Sequence, residues 1–198
     1  MAVKPILFNS EMVRAILDGR KTQTRRLVKN IPLHEPYFDV VDEIPCACDE
    51  DGDWYPAVEF SPIQKGDVLY VRETWCELPV RPDGKDNGRY TYVYYKADGD
   101  LRPEGWRGNW RPSIHMPKAA ARLFLRVTGV RCERLQDMTP EDCANDGGFD
   151  PEAVKVVGIA PLFGTLWNST VNKDAMARWG WAANPWVWVI ELERCEKP

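Results

Sequence analysis

The residues best suited to chemistry lie in one short segment, Gly19-Arg20-Lys21-Thr22-Gln23-Thr24-Arg25-Arg26, here called the motif. It supplies one amine, two hydroxyls, one amide and three guanidinium groups, with no acid among them. Such groups hold phosphate and sugar oxygens, and a lysine near a hydroxyl can activate a nucleophile. The motif therefore predicts a pocket that receives a nucleotide or a short stretch of RNA.

Amide hydrolysis is one reaction open to the motif, because it needs a nucleophile, a base and donors for the oxyanion. Lys21 and Thr24 are three positions apart, so a helical or turn-like arc would let their side chains meet. The like charges of Arg25 and Arg26 would lower the pKa of Lys21, and a neutral Lys21 could accept the Thr24 proton. The simpler alternative is that Lys21, Arg20, Arg25 and Arg26 only hold phosphate or sugar or form salt bridges, while Thr24 bonds to backbone.

Further candidates lie outside the motif. Glu73 follows a predicted strand and is a candidate acid, and Trp75 beside it is a candidate ligand contact. Residues 106–112 interleave tryptophan with arginine, which suits base stacking by Trp110 or, equally, covering of the core edge. His115 is as consistent with a structural histidine as with a site residue.

Local patterns predict the elements that would position these residues. Ser10 is a candidate N-cap for a helix whose C′ residue would be Gly19, so the motif is expected on irregular backbone. Thr139 predicts the N-cap of a second helix, which Gly147-Gly148 would end. Helical spacing recurs within 162–179, and strands are expected at 3–8, 68–72, 90–96, 123–135 with a possible break at Gly129, and 186–193.

Residues 30–64 contain five prolines and an acidic run, which predicts a long insertion with one short hairpin. The alternation of strands with a few short helices favours an α+β fold built on a closed or half-open mixed β-barrel rather than a doubly wound sheet. The length of 198 residues suits a single domain covering 1–198 that includes this insertion.

Charge is segregated along the chain, although the net charge is only −4. Residues 20–29 hold five bases and no acid, residues 39–53 hold seven acids and no base, and residues 102–131 hold seven bases and one acid. The net charge argues against a protein that coats DNA non-specifically, whereas the two basic segments could face one ligand.

No apolar run approaches the length of a membrane helix, and the N-terminus lacks the pattern of a signal peptide, so a soluble cytoplasmic protein is expected. The six cysteines are expected to be reduced thiols. A metal site at Cys46 and Cys48 would need two further ligands, from the other cysteines, His34 or His115, so no metal and no cofactor are predicted.

Five pieces of the chain resemble the ASCH family, a group of PUA-like β-barrels related to RNA-binding PUA domains. They are residues 16–26, residues 66–75, Ile114-His115-Met116-Pro117, residues 127–142 and Asn184-Pro185-Trp186-Val187-Trp188-Val189. The pieces follow in order along most of the chain and look most like the larger phage- and prophage-borne members. A phage protein would act in the host cytoplasm.

The resemblance implies either RNA binding or catalysis. Small bacterial members remove the acetyl group from N4-acetylcytidine with a lysine, a threonine and a glutamate, and ribonuclease activity is also described in the family. Lys21 and Thr24 match the first two, while the position of the glutamate matches Asp146, which is one methylene shorter. Asp146 would orient Lys21 or serve the leaving amine.

Four functions stay open on the sequence alone: a module that binds RNA or a nucleotide in a basic cleft, an N4-acetylcytidine-type amidohydrolase, a ribonuclease, and a phage assembly or host-interaction protein with an idle pocket. The intact motif and the altered acid favour the first two. The expected partner is RNA or a modified nucleoside, and the sequence fixes no oligomeric state.

Overall fold

The computed structural model describes residues 2–29, 31, 33, 37–79, 81, 83, 85, 91–105 and 108–198. Across these residues the fold is α+β, as predicted, with ten strands and five α-helices. The strands are β1 Val3–Leu7, β2 Gln23–Leu27, β3 Tyr37–Val41, β4 Ile44–Cys48, β5 Trp54–Pro56, β6 Val68–Arg72, β7 Trp75–Leu78, β8 Tyr92–Tyr95, β9 Phe124–Arg134 and β10 Trp186–Cys195. The helices are α1 Ser10–Leu17, α2 Pro140–Gly147, α3 Pro151–Val157, α4 Thr165–Thr170 and α5 Met176–Trp179.

The chain forms two compact units, each built from separated segments. The first unit comprises Met1–Gly19, Val68–Arg126 and Arg194–Pro198, and the second comprises Arg20–Asp67 and Val127–Glu193. The prediction of a single domain stays a prediction.

In the first unit, β1 pairs in parallel with β6, and β6 pairs antiparallel with the first residues of β9. A separate antiparallel pair joins β7 to β8. The core here is formed around Val68, Trp75, Met116 and Phe124, all nearly inaccessible to solvent. Apolar burial, which includes adjacent positions of β6 and β7, stabilises these strands.

In the second unit, the rest of β9 lies beside β10, and β10 pairs antiparallel with β2. The helices α2 to α4 pack onto these strands through one apolar cluster. Its buried members include Cys143 of α2, Phe163, Trp167 of α4, and Val187 and Val189 of β10. This cluster holds α2 against β10, the strand that pairs with β2.

The predicted insertion is more ordered than its composition suggested. It contains a three-stranded antiparallel sheet in the order β3-β4-β5, where one short hairpin was expected. The side chains of Cys46 and Ala47 in β4 are buried, so apolar packing stabilises these strands although the segment is rich in proline. His34, a conceivable metal ligand, lies outside the described residues.

Several boundaries differ from the sequence predictions for local reasons. Helix α1 begins at Ser10, but its N-cap is Asn9, whose Oδ1 accepts a hydrogen bond from the Met12 amide at 2.8 Å. Gly19 has φ of 75° after that helix, in agreement with its predicted C′ role. Strand β9 runs without a break through Gly129. Helix α3 was not predicted, and Tyr90 of the predicted strand 90–96 lies outside the described residues.

One larger expectation, that the motif lies on irregular backbone, was wrong. Residues 23–26 of the motif, together with Leu27, form strand β2 rather than irregular backbone, because they pair with β10 from Glu191 to Val187. No sheet formed by the described residues closes into a barrel. Within the same residues, no helix is both long and apolar enough to cross a membrane.

Candidate functional site

Strand β2 sorts the motif side chains by their alternation. Gln23 and Arg25 contact helix α2, whereas Arg26 Nη1 donates to Thr24 Oγ1 at 2.7 Å on the opposite face. The helical or turn-like arc that would bring Lys21 and Thr24 together by a three-residue spacing is therefore absent, because the backbone is extended here. Their catalytic roles stay predictions.

Lys21 lies just before β2 and its side chain is fully buried. Its ammonium group donates to Asp146 Oδ1 at 2.7 Å, to Gln23 O at 2.9 Å and to Asp146 O. Burial lowers the pKa of Lys21, and the neighbouring Asp146 carboxylate opposes that shift. Three acceptors around one Nζ atom match the three protons of a charged ammonium.

Arg25 is also fully buried at its side chain and links three carboxylates. Its Nη2 lies 2.5 Å from Glu133 Oε1 and 3.4 Å from Asp142 Oδ2, and its Nη1 lies 3.3 Å from Asp146 Oδ2. Asp142 and Asp146 are one helical turn apart on α2, so both face β2. Two cations of the motif are thus neutralised inside the protein.

Asp142 joins helix capping to this network. Its Oδ2 accepts from the Thr139 amide at 3.1 Å, while Thr139 Oγ1 accepts from the Asp142 amide at 3.1 Å, which completes the capping box. Although burial alone would raise it, hydrogen bonds from Gln23 and Thr139 and the charge of Arg25 lower the pKa of Asp142 to about 2. Thr139 is the N-cap that the sequence predicted.

An open cleft of about 360 Å³ lies beside this network and is called the motif cleft. It is lined by Thr22, Gln23, Thr128, Arg131, Thr139, Glu141, Asp142, Asn145, Glu191 and Leu192. Arg131 spans it, with contacts of 2.9 Å to Glu133, 3.0 Å to Asp142 and 2.9 Å to Glu191. The lining holds one guanidinium against three carboxylates, so the basic character expected of this cleft is not found here.

The remaining arginines of the motif have local partners. Arg20 donates to the carbonyl oxygen of Gly148, next to the end of α2. Arg26 also donates to its neighbour Arg25 O at 2.9 Å. Burial lowers the pKa of Arg26, and Asp146 opposes this effect.

Glu73 belongs to the first unit, where it is almost fully buried and paired with Arg122. The two Glu73 oxygens accept from Arg122 at 2.9 and 3.0 Å, and Arg122 also binds Asp98 and covers the Tyr95 ring at 3.9 Å. Burial raises the pKa of Glu73, while Arg122 counteracts the shift. Its role as an acid stays a prediction.

The other predicted ligand contacts also lie in the first unit. Trp75 is buried in the core, and its indole nitrogen has no hydrogen-bond partner among the described residues. Trp110 is half-buried beneath the Arg102 guanidinium at 4.6 Å, and His115 is exposed. Trp106 and Arg107, from the same predicted segment as Trp110, lie outside the described residues.

A larger cavity of about 770 Å³ in the second unit escaped the sequence predictions and is called the basic aromatic cavity. It is lined by Val28, Lys29, Ile31, Phe38, Arg134, Arg178, Trp179, Ala183, Pro185 and Trp186. The adjacent pair Arg178-Trp179 repeats the pattern of cation beside aromatic residue noted at residues 106–112. This pair is the sequence feature that could have indicated the cavity.

In the part of the chain that the structure describes, no cluster of three or more His, Cys, Asp or Glu side chains is arranged to hold a metal ion. All six cysteines carry free thiols, and the deep burial of Cys132 raises its pKa to about 12.

No family model matches this chain, and no curated protein matches it in sequence. It is similar in fold to the crystal structure of hypothetical protein PH0355, at 14% identity and a TM-score of 0.39, over 98% of this chain and 100% of that one. It is also similar to an ASCH domain from Lactobacillus crispatus JV V101, at 12% identity and a TM-score of 0.38, over 98% of this chain and 79% of that one. Both likenesses are distant, so each role proposed for a residue rests on contacts within this chain.

Proposed function

We propose that the protein binds RNA or a nucleotide and that the motif cleft receives the nucleoside part. The observation that carries the proposal is the lining of this cleft by amides, hydroxyls, three carboxylates and one guanidinium next to the motif. These groups can pair with base edges and ribose hydroxyls. The resemblance of the motif to that of ASCH proteins supports the same class of ligand.

The charges of the cleft favour a nucleoside over its phosphate. Glu141, Asp142 and Glu191 would repel a phosphate, and Arg131 already bridges two of them. Carboxylates accept hydrogen bonds from exocyclic amino groups, of which the cytosine N4 amine is one. A neutral base with amino and carbonyl edges therefore suits this lining better than a phosphate does.

Calorimetric titration with cytidine and N4-acetylcytidine tests the proposal. Asn145 lines the cleft on helix α2, so Asn145→Leu is expected to weaken nucleoside binding by roughly tenfold, the effect of one lost polar contact of about 1.4 kcal/mol. The exposed Asn172 lies outside the lining, and Asn172→Leu is the matched control. Equal binding by both variants, or no binding by the parent, would sink the proposal.

Amide hydrolysis is a second candidate, favoured by the contact between Lys21 and Asp146 and by the lowered pKa of Lys21. The reaction would require Lys21 to lose one of the protons now directed at its three acceptors. Asp146 is close enough to orient that amine.

Chromatography of N4-acetylcytidine after incubation with the protein tests hydrolysis. An amidohydrolase would form cytidine and acetate, and Lys21→Met would abolish both while the exposed control Lys155→Met kept them. Circular dichroism of each variant would establish that it is folded. Absence of cytidine with the parent would retire this candidate, and fragmentation of an added RNA would point to the ribonuclease alternative instead.

A further inference from the structure

The basic aromatic cavity lies where three strands of the second unit meet. Strand β10 begins at Trp186, opposite the end of β2, since the Val28 amide donates to Trp186 O at 3.0 Å. Strand β9 ends at Arg134, and the next amide, Leu135, donates to Pro185 O at 2.9 Å. Side chains from separated parts of the chain are thereby fixed around one opening.

The charge of this cavity is opposite to that of the motif cleft. Its charged lining consists of Lys29, Arg134 and Arg178, with no acid among the lining residues that the structure describes. Lys29 and Arg178 are exposed, and Arg134 is half-buried with its Nη1 donating to Asn184 O at 3.1 Å. Three cations around one concave surface attract a ligand with several negative charges.

Aromatic planes accompany these cations. The Arg134 guanidinium lies 4.3 Å from the centre of the Trp186 ring, and Phe38 lies 6.0 Å from the same ring. Arg178 lies 4.5 Å and Lys29 5.6 Å from the centre of the Trp179 ring. A guanidinium stacked on a ring is held in place and directs its N–H groups outward, where they can meet phosphate oxygens.

We propose that the basic aromatic cavity binds single-stranded nucleic acid, with Lys29, Arg134 and Arg178 contacting phosphates and Trp179 or Trp186 stacking against an unpaired base. The proposal rests on the proposed function only in that the ligand is a nucleic acid. It adds a second site to the motif cleft, with a complementary preference for phosphate. Bases stack on aromatic rings and on guanidinium planes alike, so a base can extend either stack.

The size of the cavity sets the length of strand it holds. Its volume of about 770 Å³ lies in the range of pockets that enclose one small ligand. One or two nucleotides can therefore occupy it, while neighbouring nucleotides stay outside. A base pair within a duplex cannot offer its face to Trp179 or Trp186, because both of its faces are stacked.

Fluorescence anisotropy with a labelled single-stranded RNA of about ten nucleotides tests this inference, with single-stranded DNA of the same sequence as a second probe. Titration between about 50 and 200 mM salt should give a slope of log affinity against log salt of about −2, because each phosphate contact on a single strand contributes about −0.7. Arg178→Gln should reduce the magnitude of that slope by about 0.7 and weaken binding roughly fivefold at about 0.1 M salt.

The control Lys155→Gln removes the same charge from an exposed site on helix α3 and should leave both quantities unchanged. Trp179→Leu separates stacking from charge, since it should weaken binding roughly fivefold or more without changing the slope. If Arg178 and Trp179 only stabilised the fold, Arg178→Gln would not change the salt slope and Trp179→Leu would not weaken binding of the oligonucleotide.

Each outcome decides between the two sites. Equal binding by Arg178→Gln and Lys155→Gln, with weakening by Asn145→Leu, would overturn this inference and leave the proposed function in place. Binding of an acidic peptide in preference to either oligonucleotide, or no binding of oligonucleotide by the parent, would also overturn it. The cytidine titration judges the motif cleft separately.

Discussion

At the residue scale, buried charges are the main structural feature of the motif. Lys21 and Arg25 share Asp146, at 2.7 and 3.3 Å, in a region closed to solvent. A buried ion that loses its partner keeps its desolvation cost. Replacing one member of the ion pair should therefore destabilise the protein far more than replacing both together.

A double-mutant cycle tests this coupling. Asp146→Leu should destabilise the protein by about 3–5 kcal/mol and more than Lys21→Met, because it leaves both Lys21 and Arg25 short of a partner. The double variant should cost at least about 1 kcal/mol less than the sum of the two. Urea unfolding measures all three, and simple additivity would contradict the buried pair.

Asp142 gives the protein a predictable response to acid. Its pKa of about 2 in the folded state lies below the unfolded value near 3.9, so its contribution is present above about pH 4 and lost as pH falls towards 2. Asp142→Asn should flatten the fall in unfolding free energy over that window. Glu141→Gln on the same turn is the control, and equal acid profiles for both variants would count against the assignment.

The sequence shows which residues form the motif but not which side chains contact them. The motif was visible because its residues are consecutive, and the link from Lys21 to Asp146 came from the resemblance to a family. No spacing rule could supply it, since the two residues are 125 positions apart. The compensation of Arg25 by Glu133 depends on tertiary packing and was not foreseen.

At the element scale, helix α2 positions two of the three carboxylates that contact Arg25, namely Asp142 and Asp146. The cluster around Cys143 holds the helix on β10, while the capping box fixes its first turn and thereby Asp142. Its beginning at Pro140 and its C-cap at Gly148, with φ of 66°, agree with the sequence because capping depends on adjacent residues. Strand β2 was missed because its partner β10 is far away in sequence.

Loss of the cap has a measurable effect on stability. Thr139→Ala should lower the free energy of unfolding by about 1 kcal/mol, since the backbone amide of Asp142 in the first turn loses its acceptor, Thr139 Oγ1. Thr165→Ala, at an exposed position of α4, should be neutral or slightly stabilising. Thermal unfolding compares the two variants. Unchanged stability of Thr139→Ala would show that the Thr139 cap does not fix the position of Asp142.

At the scale of the whole molecule, the net charge of −4 gives little general attraction to nucleic acid. Two of the five cations of segment 20–29, Lys21 and Arg25, are paired with carboxylates within the second unit, and of the five only Lys29 lines the basic aromatic cavity. Composition revealed the segregation of charge but could not show which cations were already paired.

A preference for single-stranded over duplex RNA follows from this distribution of charge and from the aromatic rings of the basic aromatic cavity. Single-stranded RNA should compete for the protein roughly tenfold or more effectively than a duplex of the same sequence at about 0.15 M salt, because stacking on Trp179 or Trp186 needs an unpaired base. Competition against a labelled single strand measures the ratio. Equal competition by the duplex would mean that phosphate charge alone drives binding.

The most direct test of the proposed function is nuclear magnetic resonance of the isotope-labelled protein during titration with cytidine, which carries no phosphate. The account predicts that the shifting backbone amides cluster around the motif cleft, at Thr22, Gln23, Asn145 and Glu191. An absence of shifts at saturating cytidine, or shifts confined to residues away from this cleft, would contradict it.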